Sequence, residues 1–212
     1  MPVAVLTRAD VAAYAAALPA WEVVALPVTR AEPPSDPEAL AEVLRQPHDA
    51  VLVASARAAQ VVRGSDRPIW AVGPATAAIL PGAHVGPGDG ASTARALLAA
   101  MGPVRVLVPR AEEGRDEAIA ILRAGGATVI DAIAYRTVPI AFDASILHRA
   151  DVVACFAPSQ ASALPALTCP IVAIGETTAA ALRARGYRPA VAASPTPEGI
   201  ANAIALVYPL GR

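Results

Sequence analysis

Lysine is absent from this sequence of 212 residues, and all seventeen basic residues are arginines. Schiff-base chemistry and the P-loop phosphate site both need a lysine, so the sequence excludes both. Cysteine is scarce too: Cys155 and Cys169 share no spacing typical of a metal site, and free cysteines are usually buried in a core. The sequence also lacks HExxH and GxSxG motifs and a carboxylate pair of the glycosidase kind, so metal, serine-hydrolase and glycosidase sites have no support.

The chain has no apolar run near the ~20 residues that span a bilayer. It also lacks the basic amino-terminal region of a signal peptide. The formal net charge of −1 provides no basic field that would attract nucleic acid. We therefore expect a cytoplasmic protein that binds neither membranes nor nucleic acid. Hydrophobic residues make up 55% of the chain, enough for a well-filled core.

One pattern occurs twice, 102 residues apart. A short apolar strand, a glycine and an alanine-rich helix follow one another over residues 68–80 and again over 170–182. The strand at 49–55 has a counterpart at 151–157 with the same spacing. A repeat of about half the chain length predicts two similar lobes. Its register is circular, so the first two strands of one lobe lie at the N-terminus and its last three follow residue 139.

Predicted strands and helices alternate along the whole chain, which is typical of parallel sheets with helices on both faces. We predict an α/β protein of two similar lobes, each with a parallel five-stranded sheet flanked by helices, one lobe being inserted into the other. The predicted ranges are 1–30 and 139–212 for the first lobe, 34–135 for the inserted lobe, and 31–33 and 136–138 for the crossings. Two crossings at one point predict a hinge and a ligand cleft between the lobes. Because the duplication already supplies two lobes, we expect a monomer.

Hydroxyl side chains follow the predicted strands at several places: Ser55, Thr76, Ser159 and the pair Thr177 and Thr178. Each of them alone can be a simple helix cap, since serine and threonine are favoured there. Ligands of open α/β sheets, however, bind outside the carboxyl ends of the strands, and the N–H groups of helix starts favour anions. As a group these residues predict a site for carboxylates.

Two arginines and a tyrosine add further chemistry at predicted strand ends. Arg8 and Arg110 lie 102 residues apart. Each is either a solvated loop residue or a residue that binds a carboxylate through two parallel hydrogen bonds. Tyr135 ends a strand at a crossing, as a packing residue or as a phenol that donates a hydrogen bond to a leaving oxygen. The segment 86–91 imitates the dinucleotide-binding fingerprint, but Pro87 removes a backbone N–H and the preceding strand is short, so a nucleotide-dependent enzyme is the weakest alternative.

In their order along the chain, these motifs resemble the uroporphyrinogen-III synthase family. The segments that carry the resemblance are 49–55, 72–77, 135–137, 156–159, 173–179 and 194–200. The resemblance implies two α/β lobes joined by a two-stranded linker, with no metal or organic cofactor. It also implies cyclisation of hydroxymethylbilane to uroporphyrinogen III, with ring D inverted and water lost. The implied partners are this linear tetrapyrrole, rich in carboxylates, and hydroxymethylbilane synthase, which would hand it over.

The resemblance also implies residue roles. Backbone N–H groups and hydroxyls at strand ends hold the substrate carboxylates in this family, which maps onto Ser55, Thr76, Ser159 and Thr178. We also expect Thr177 and Thr196 to bind substrate. The tyrosine of the Tyr-x-Thr motif helps the leaving hydroxyl depart, which maps onto Tyr135. Ala54, Ala157 and Glu176 depart from the usual family pattern, so we expect fewer contacts with the substrate carboxylates in those loops.

Few titratable groups are needed if the protein selects one conformer of a bilane that otherwise closes unaided to the wrong isomer. Positioning of this kind can lower a barrier by about 7–11 kcal/mol. The alternative function is a two-lobed binding or regulatory protein for an anionic tetrapyrrole or another small acid, without turnover. Composition does not separate the two.

Overall fold

The computed structural model describes residues 1–209, in which strands and helices alternate as the sequence predicts. The strands are β1 (Val3–Leu6), β2 (Glu22–Ala25), β3 (Thr29–Glu32), β4 (Ala50–Val53), β5 (Ile69–Ala71), β6 (His84–Val85), β7 (Arg105–Ala111), β8 (Thr128–Pro139), β9 (Val152–Cys155), β10 (Ile171–Ala173) and β11 (Ala190–Val191). The helices are α1 (Ala12–Ala17), α2 (Pro37–Leu44), α3 (Ala56–Ala59), α4 (Pro74–Ala77), α5 (Gly90–Met101), α6 (Glu117–Ala124), α7 (Ser145–His148), α8 (Pro158–Ala163), α9 (Glu176–Ala184) and α10 (Pro197–Val207). Within the described part of the chain, every helix is too short or too polar to cross a membrane.

The contacts divide the chain into two compact units. Unit 1 comprises Met1–Arg30 and Val138–Arg212, and unit 2 comprises Ala31–Thr137. The chain enters unit 2 within β3 and leaves it within β8. A hinge between the units stays a prediction.

Unit 1 is built on a five-stranded parallel sheet, as predicted, with the strand order β11-β10-β9-β1-β2. Successive residues of its strands pack on opposite faces. Val5 belongs to the hydrophobic cluster that contains Leu182 of α9, whereas Leu6 belongs to the cluster that contains Ile200 of α10. Burial on both faces explains the continuous apolar runs in the sequence. Because all five strands are parallel, their carboxyl ends lie along one edge.

Unit 2 contains a sheet of six strands, in the order β3-β8-β7-β4-β5-β6, so the prediction of five is wrong. Parallel pairing joins β8, β7, β4, β5 and β6, and β3 makes the sheet mixed. The extra strand forms because β8 is twelve residues long and its edge away from β7 is open to a further strand. The extended chain at Thr29–Glu32 pairs with β8.

Candidate functional site

Two of the predicted site residues are hydrogen-bonded to each other in unit 2. Tyr135 of β8 donates its hydroxyl to Ser55 Oγ, 3.3 Å away. Ser55 is the N-cap of α3, and its Oγ also accepts the N–H of Ala58 at 3.1 Å. With both acceptor positions of the serine oxygen used, its own proton is left to donate to a ligand oxygen. Ser55 is therefore a helix cap, and it also orients the phenol of Tyr135.

Thr76 and Thr178 occupy matching places, each the third residue of its helix and each buried. The helices α4 and α9 begin after Gly73 and Gly175, which provide no side-chain cap. The φ angles of these glycines, −150° and −175°, are open to any residue, and a Cβ added at either would meet no atom within 4 Å. Neither backbone conformation nor packing within the protein requires glycine there. Both glycines leave open space beside an uncapped helix start, and the exposed Thr177 lies next to one of these helix starts.

Thr196 is held by a tight turn before α10. Its Oγ1 caps the helix by accepting the N–H of Gly199 at 3.1 Å, and Ser194 Oγ lies 3.0 Å away. A Cβ at position 199 would lie 2.1 Å from the Ser194 carbonyl oxygen, so this close approach requires glycine. Thr196 is exposed and Ser159, in α8, is half-buried.

Each unit collects its predicted residues along the carboxyl edge of its own sheet. In unit 1 they follow four adjacent parallel strands: Arg8 after β1, Ser159 after β9, Thr177 and Thr178 after β10, and Thr196 after β11. In unit 2 they lie in or after β8, β7, β4 and β5: Tyr135, Arg110, Ser55 and Thr76. This edge is where open α/β sheets bind ligands.

Arg8 is held by aromatic rings rather than by an acid. Its Nη1 donates to Tyr14 Oη at 2.8 Å, and its Cζ lies 4.8 Å from the Tyr14 ring centroid and 5.1 Å from that of Phe156. The two rings pack edge to face at 5.0 Å. Arg8 Nε is buried without a hydrogen-bond partner, and no carboxylate of the described residues forms an ion pair with Arg8. Its positive charge is therefore not neutralised within residues 1–209.

Arg110, by contrast, is committed to its own loop. It forms a two-bond fork with Asp131, at 2.7 and 2.8 Å, and lies 3.5 Å from Asp116. Its Nη1 donates to three carbonyl oxygens of the following loop, those of Ala111, Glu112 and Gly114. The hydrogen bond to Asp131 raises the pKa of Arg110 above its usual value. This arrangement supports the loop, and substrate contact by Arg110 stays a prediction.

The glycine-rich loop at 86–91 is hydrogen-bonded to the end of β5. The N–H groups of Gly86 and Gly88 donate to the carbonyls of Ala71 and Val72. Asp89 caps α5 by accepting the N–H of Ser92 at 2.7 Å, and this bond lowers the pKa of the Asp89 carboxyl. A phosphate at this helix start would be repelled by the Asp89 carboxylate, so the geometry does not favour a nucleotide-dependent enzyme.

The residues that sequence reasoning missed are Tyr14, Phe156 and Gln160. Aromatic residues are only 4% of the chain, so Tyr14, six residues after Arg8, is a usable local signal, whereas Phe156 reaches Arg8 only through tertiary packing. Gln160 lies three residues after Ala157, the spacing of a capping box. Cys155 is buried, which raises the pKa of its thiol to about 12 and keeps it unreactive. Residues 1–209 contain no group of three or more potential metal ligands.

Comparisons with known proteins identify the fold and a family. A family model described as uroporphyrinogen-III synthase HemD matches residues 11–202. No protein of curated function matches the chain by sequence.

Solved structures of proteins named uroporphyrinogen-III synthase share this fold. Uroporphyrinogen-III synthetase from Helicobacter pylori 26695 is similar with a TM-score of 0.68 and 19% identity, covering 97% of this chain and 99% of that one. A mutant uroporphyrinogen III synthase from the extremely thermophilic bacterium Thermus thermophilus is similar with a TM-score of 0.57 and 20% identity, covering 90% and 92%. The wild-type form of that protein has a TM-score of 0.51 and 17% identity, covering 97% and 99%. At these identities the likenesses show the fold alone.

Proposed function

Because the chain belongs to the uroporphyrinogen-III synthase family, we propose that it cyclises hydroxymethylbilane to uroporphyrinogen III, with inversion of ring D and loss of water. Family membership implies an enzyme that cyclises hydroxymethylbilane. The observation that carries the proposal is the hydrogen bond between Tyr135 and Ser55 at the carboxyl edge of the unit 2 sheet.

Tyr135 is the proposed acid. Its phenol donates a hydrogen bond to the hydroxyl that leaves the bilane, which lowers the cost of breaking that carbon–oxygen bond. Ser55 accepts the same proton when no substrate is bound, at 3.3 Å, so the phenol is already oriented towards an acceptor oxygen. Acid assistance of this kind contributes about 10²–10⁴-fold.

The carboxylates of the substrate are the proposed ligands of the strand-end residues. Arg8 supplies a charge that no described carboxylate neutralises, and a guanidinium binds carboxylates through two parallel hydrogen bonds. The remaining members of the set are Ser55, Thr76, Ser159, Thr177, Thr178, Thr196 and Arg110. Binding that holds the reacting carbons in one geometry can supply about 7–11 kcal/mol, more than acid assistance alone. We therefore propose that selection of one substrate conformer is the main source of catalysis.

The experiment is an isomer assay on the purified protein with enzymatically generated hydroxymethylbilane. After oxidation, the ratio of isomer III to isomer I is compared with that of a reaction without the protein. Isomer III in excess supports the proposed activity. Isomer I alone contradicts it and favours the alternative, a protein that binds an anionic tetrapyrrole or small acid without turnover.

The proposal includes turnover without a metal or organic cofactor, by a monomer that receives its substrate from hydroxymethylbilane synthase. The same assay after dialysis against a chelator tests the first point. Size-exclusion chromatography with light scattering tests the second. A cleft between the two units, expected from the sequence, stays a prediction.

A further inference from the structure

Gln160 joins the ends of two adjacent strands in unit 1 through a single buried side chain, which is 8% exposed. Its Oε1 accepts the N–H groups of Phe156 at 2.7 Å and Ala157 at 3.2 Å, just after β9. Its Nε2 donates to the carbonyl oxygen of Thr7 at 2.7 Å, just after β1. The Thr7 hydroxyl lies within hydrogen-bond distance of the same Oε1.

These partners settle the orientation of the amide. Two backbone N–H groups require an acceptor on one side, and a carbonyl requires a donor on the other, so only an amide satisfies all of them. Ala157 is the N-cap residue of α8 but has no side-chain acceptor, and its own N–H donates to Gln160 Oε1. A buried side chain with this many hydrogen bonds has one conformation, so it fixes both strand ends.

The ends of β1 and β9, which Gln160 fixes, also position Arg8. Thr7 directly precedes Arg8 in the chain, and the ring of Phe156 lies 5.1 Å from the Arg8 guanidinium carbon. The other ring beside Arg8, that of Tyr14, packs edge to face against Phe156. A shift of either strand end would therefore move the guanidinium relative to its aromatic support.

We propose that Gln160 is a positioning residue that holds Arg8 in place for a substrate carboxylate. This inference rests on the proposed function, because it assigns Gln160 an effect on substrate binding through Arg8. Gln160 itself is buried and hydrogen-bonded to both strand ends, so it acts on the substrate through Arg8. Losing its hydrogen bonds raises KM and leaves the acid step at Tyr135, in unit 2, with an unchanged kcat.

The test compares KM, kcat and melting temperature for Gln160→Met, Arg8→Met and the double variant. Methionine keeps most of the length of both side chains and removes their polar groups. We expect Arg8→Met to raise KM about ten-fold or more, since a hydrogen bond to a charged group is at stake. We expect Gln160→Met to raise KM by up to about ten-fold, because a displaced Arg8 loses no more than the contact that Arg8→Met removes. In the double variant, KM should match that of Arg8→Met alone.

The matched control is Gln60→Met, the same substitution at an exposed glutamine of unit 2, which should leave KM unchanged. If Gln160→Met does not fold, Gln160→Glu keeps the acceptor oxygen and loses the donor to Thr7, and a smaller rise in KM supports the inference. An unchanged KM in either folded variant, or increases in KM that multiply in the double variant, would overturn it.

Failure of the proposed function is distinguishable from failure of this inference. If the unmodified protein produces no isomer III, the proposed function fails, and the dissociation constant for uroporphyrin measured by fluorescence replaces KM for all variants. The positioning role is still supported if Gln160→Met raises the dissociation constant of the otherwise unmodified protein but does not raise that of Arg8→Met. Equal dissociation constants for the unmodified protein and Gln160→Met overturn it.

Discussion

Arg8 in unit 1 and Arg110 in unit 2 hold matching positions at the ends of β1 and β7, yet their side chains have different partners. Arg8 packs on two aromatic rings, whereas Arg110 forks onto Asp131. The sheet register explains the difference. Asp131 pairs with Val108 of β7, and the residue that pairs with the matching Leu6 of β1 is Ala25, which has no carboxylate.

At the opposite edge of the sheets the two units agree. In unit 2, Asp49 accepts the backbone N–H of Arg105 at 3.0 Å, and in unit 1 Asp151 accepts the N–H of Val3 at 2.7 Å. All four residues are related by the 102-residue spacing. Only the side-chain bonds of Arg105 are added in unit 2, and together with its backbone N–H they lower the pKa of Asp49 to about 2. The amino edges of the strands thus keep a shared support, while the carboxyl edges carry different side chains.

The largest expected effect concerns the phenol of Tyr135, which has no counterpart in unit 1 because β2 ends at Ala25. Tyr135→Phe should lower kcat by about 100-fold or more, the contribution of an acid, and leave measurable turnover, because positioning remains. Steady-state kinetics with the isomer assay measure both. Tyr187→Phe, at a half-buried tyrosine of unit 1 that donates to the Pro165 carbonyl, should not change kcat. Complete inactivity of a folded Tyr135→Phe protein would contradict the dominance of positioning.

The next effect separates the two arginines directly. Arg8→Met should raise KM about ten-fold or more with a small change in melting temperature. Arg110→Met should mainly lower stability: it leaves Asp131 and three carbonyl oxygens without their donor, at a cost of about 1–3 kcal/mol in unfolding free energy, and it should raise KM less than Arg8→Met does. Kinetics and thermal unfolding of both variants provide the measurement. If both variants changed KM and melting temperature by the same amounts, the two arginines would not have different roles.

The smallest effect concerns a feature that both units share, the glycines before α4 and α9. Gly73→Ala and Gly175→Ala should each raise the unfolding free energy by about 0.4–1 kcal/mol, because alanine fits the backbone and restricts the unfolded chain. Each should also raise KM, since the new methyl group fills space beside the helix start. Gly199→Ala is the contrasting variant and should be destabilised, because its Cβ would lie 2.1 Å from a carbonyl oxygen. An unchanged KM in both of the first variants would mean that this space is not used.

Local pattern was enough to predict the α/β class and the five-stranded sheet of unit 1, because buried parallel strands are apolar along their whole length. The sixth strand of unit 2 was not predictable in the same way. Thr29–Glu32 has few apolar residues and is followed by Pro33 and Pro34, so it resembles a linker. Only its pairing with the long strand β8 makes it a strand.

For the candidate site, position along the chain predicted which residues follow the strands, but not their partners. The exceptions are Tyr135 and Arg110: the predicted strands end at Tyr135 and before Arg110, whereas β8 continues to Pro139 and β7 includes Arg110. Arg8 and Arg110 cannot be told apart in the sequence, because the acid that binds Arg110 comes from a neighbouring strand whose register is set by tertiary pairing. Gln160 is different, since its distance of three residues from Ala157 is a local signal. Its further bond to Thr7 joins residues 153 positions apart, which no local pattern contains.

The passage of the chain through β3 and β8 has a consequence for the order of folding. Unit 2 is one continuous segment, whereas unit 1 must join two segments separated by all of unit 2. Closing so long a loop in a flexible chain costs entropy that grows with the logarithm of its length. Once unit 2 has folded, β3 and β8 are neighbours, and much of that cost has already been met. We therefore expect the inserted segment to act as the scaffold on which the terminal segments assemble.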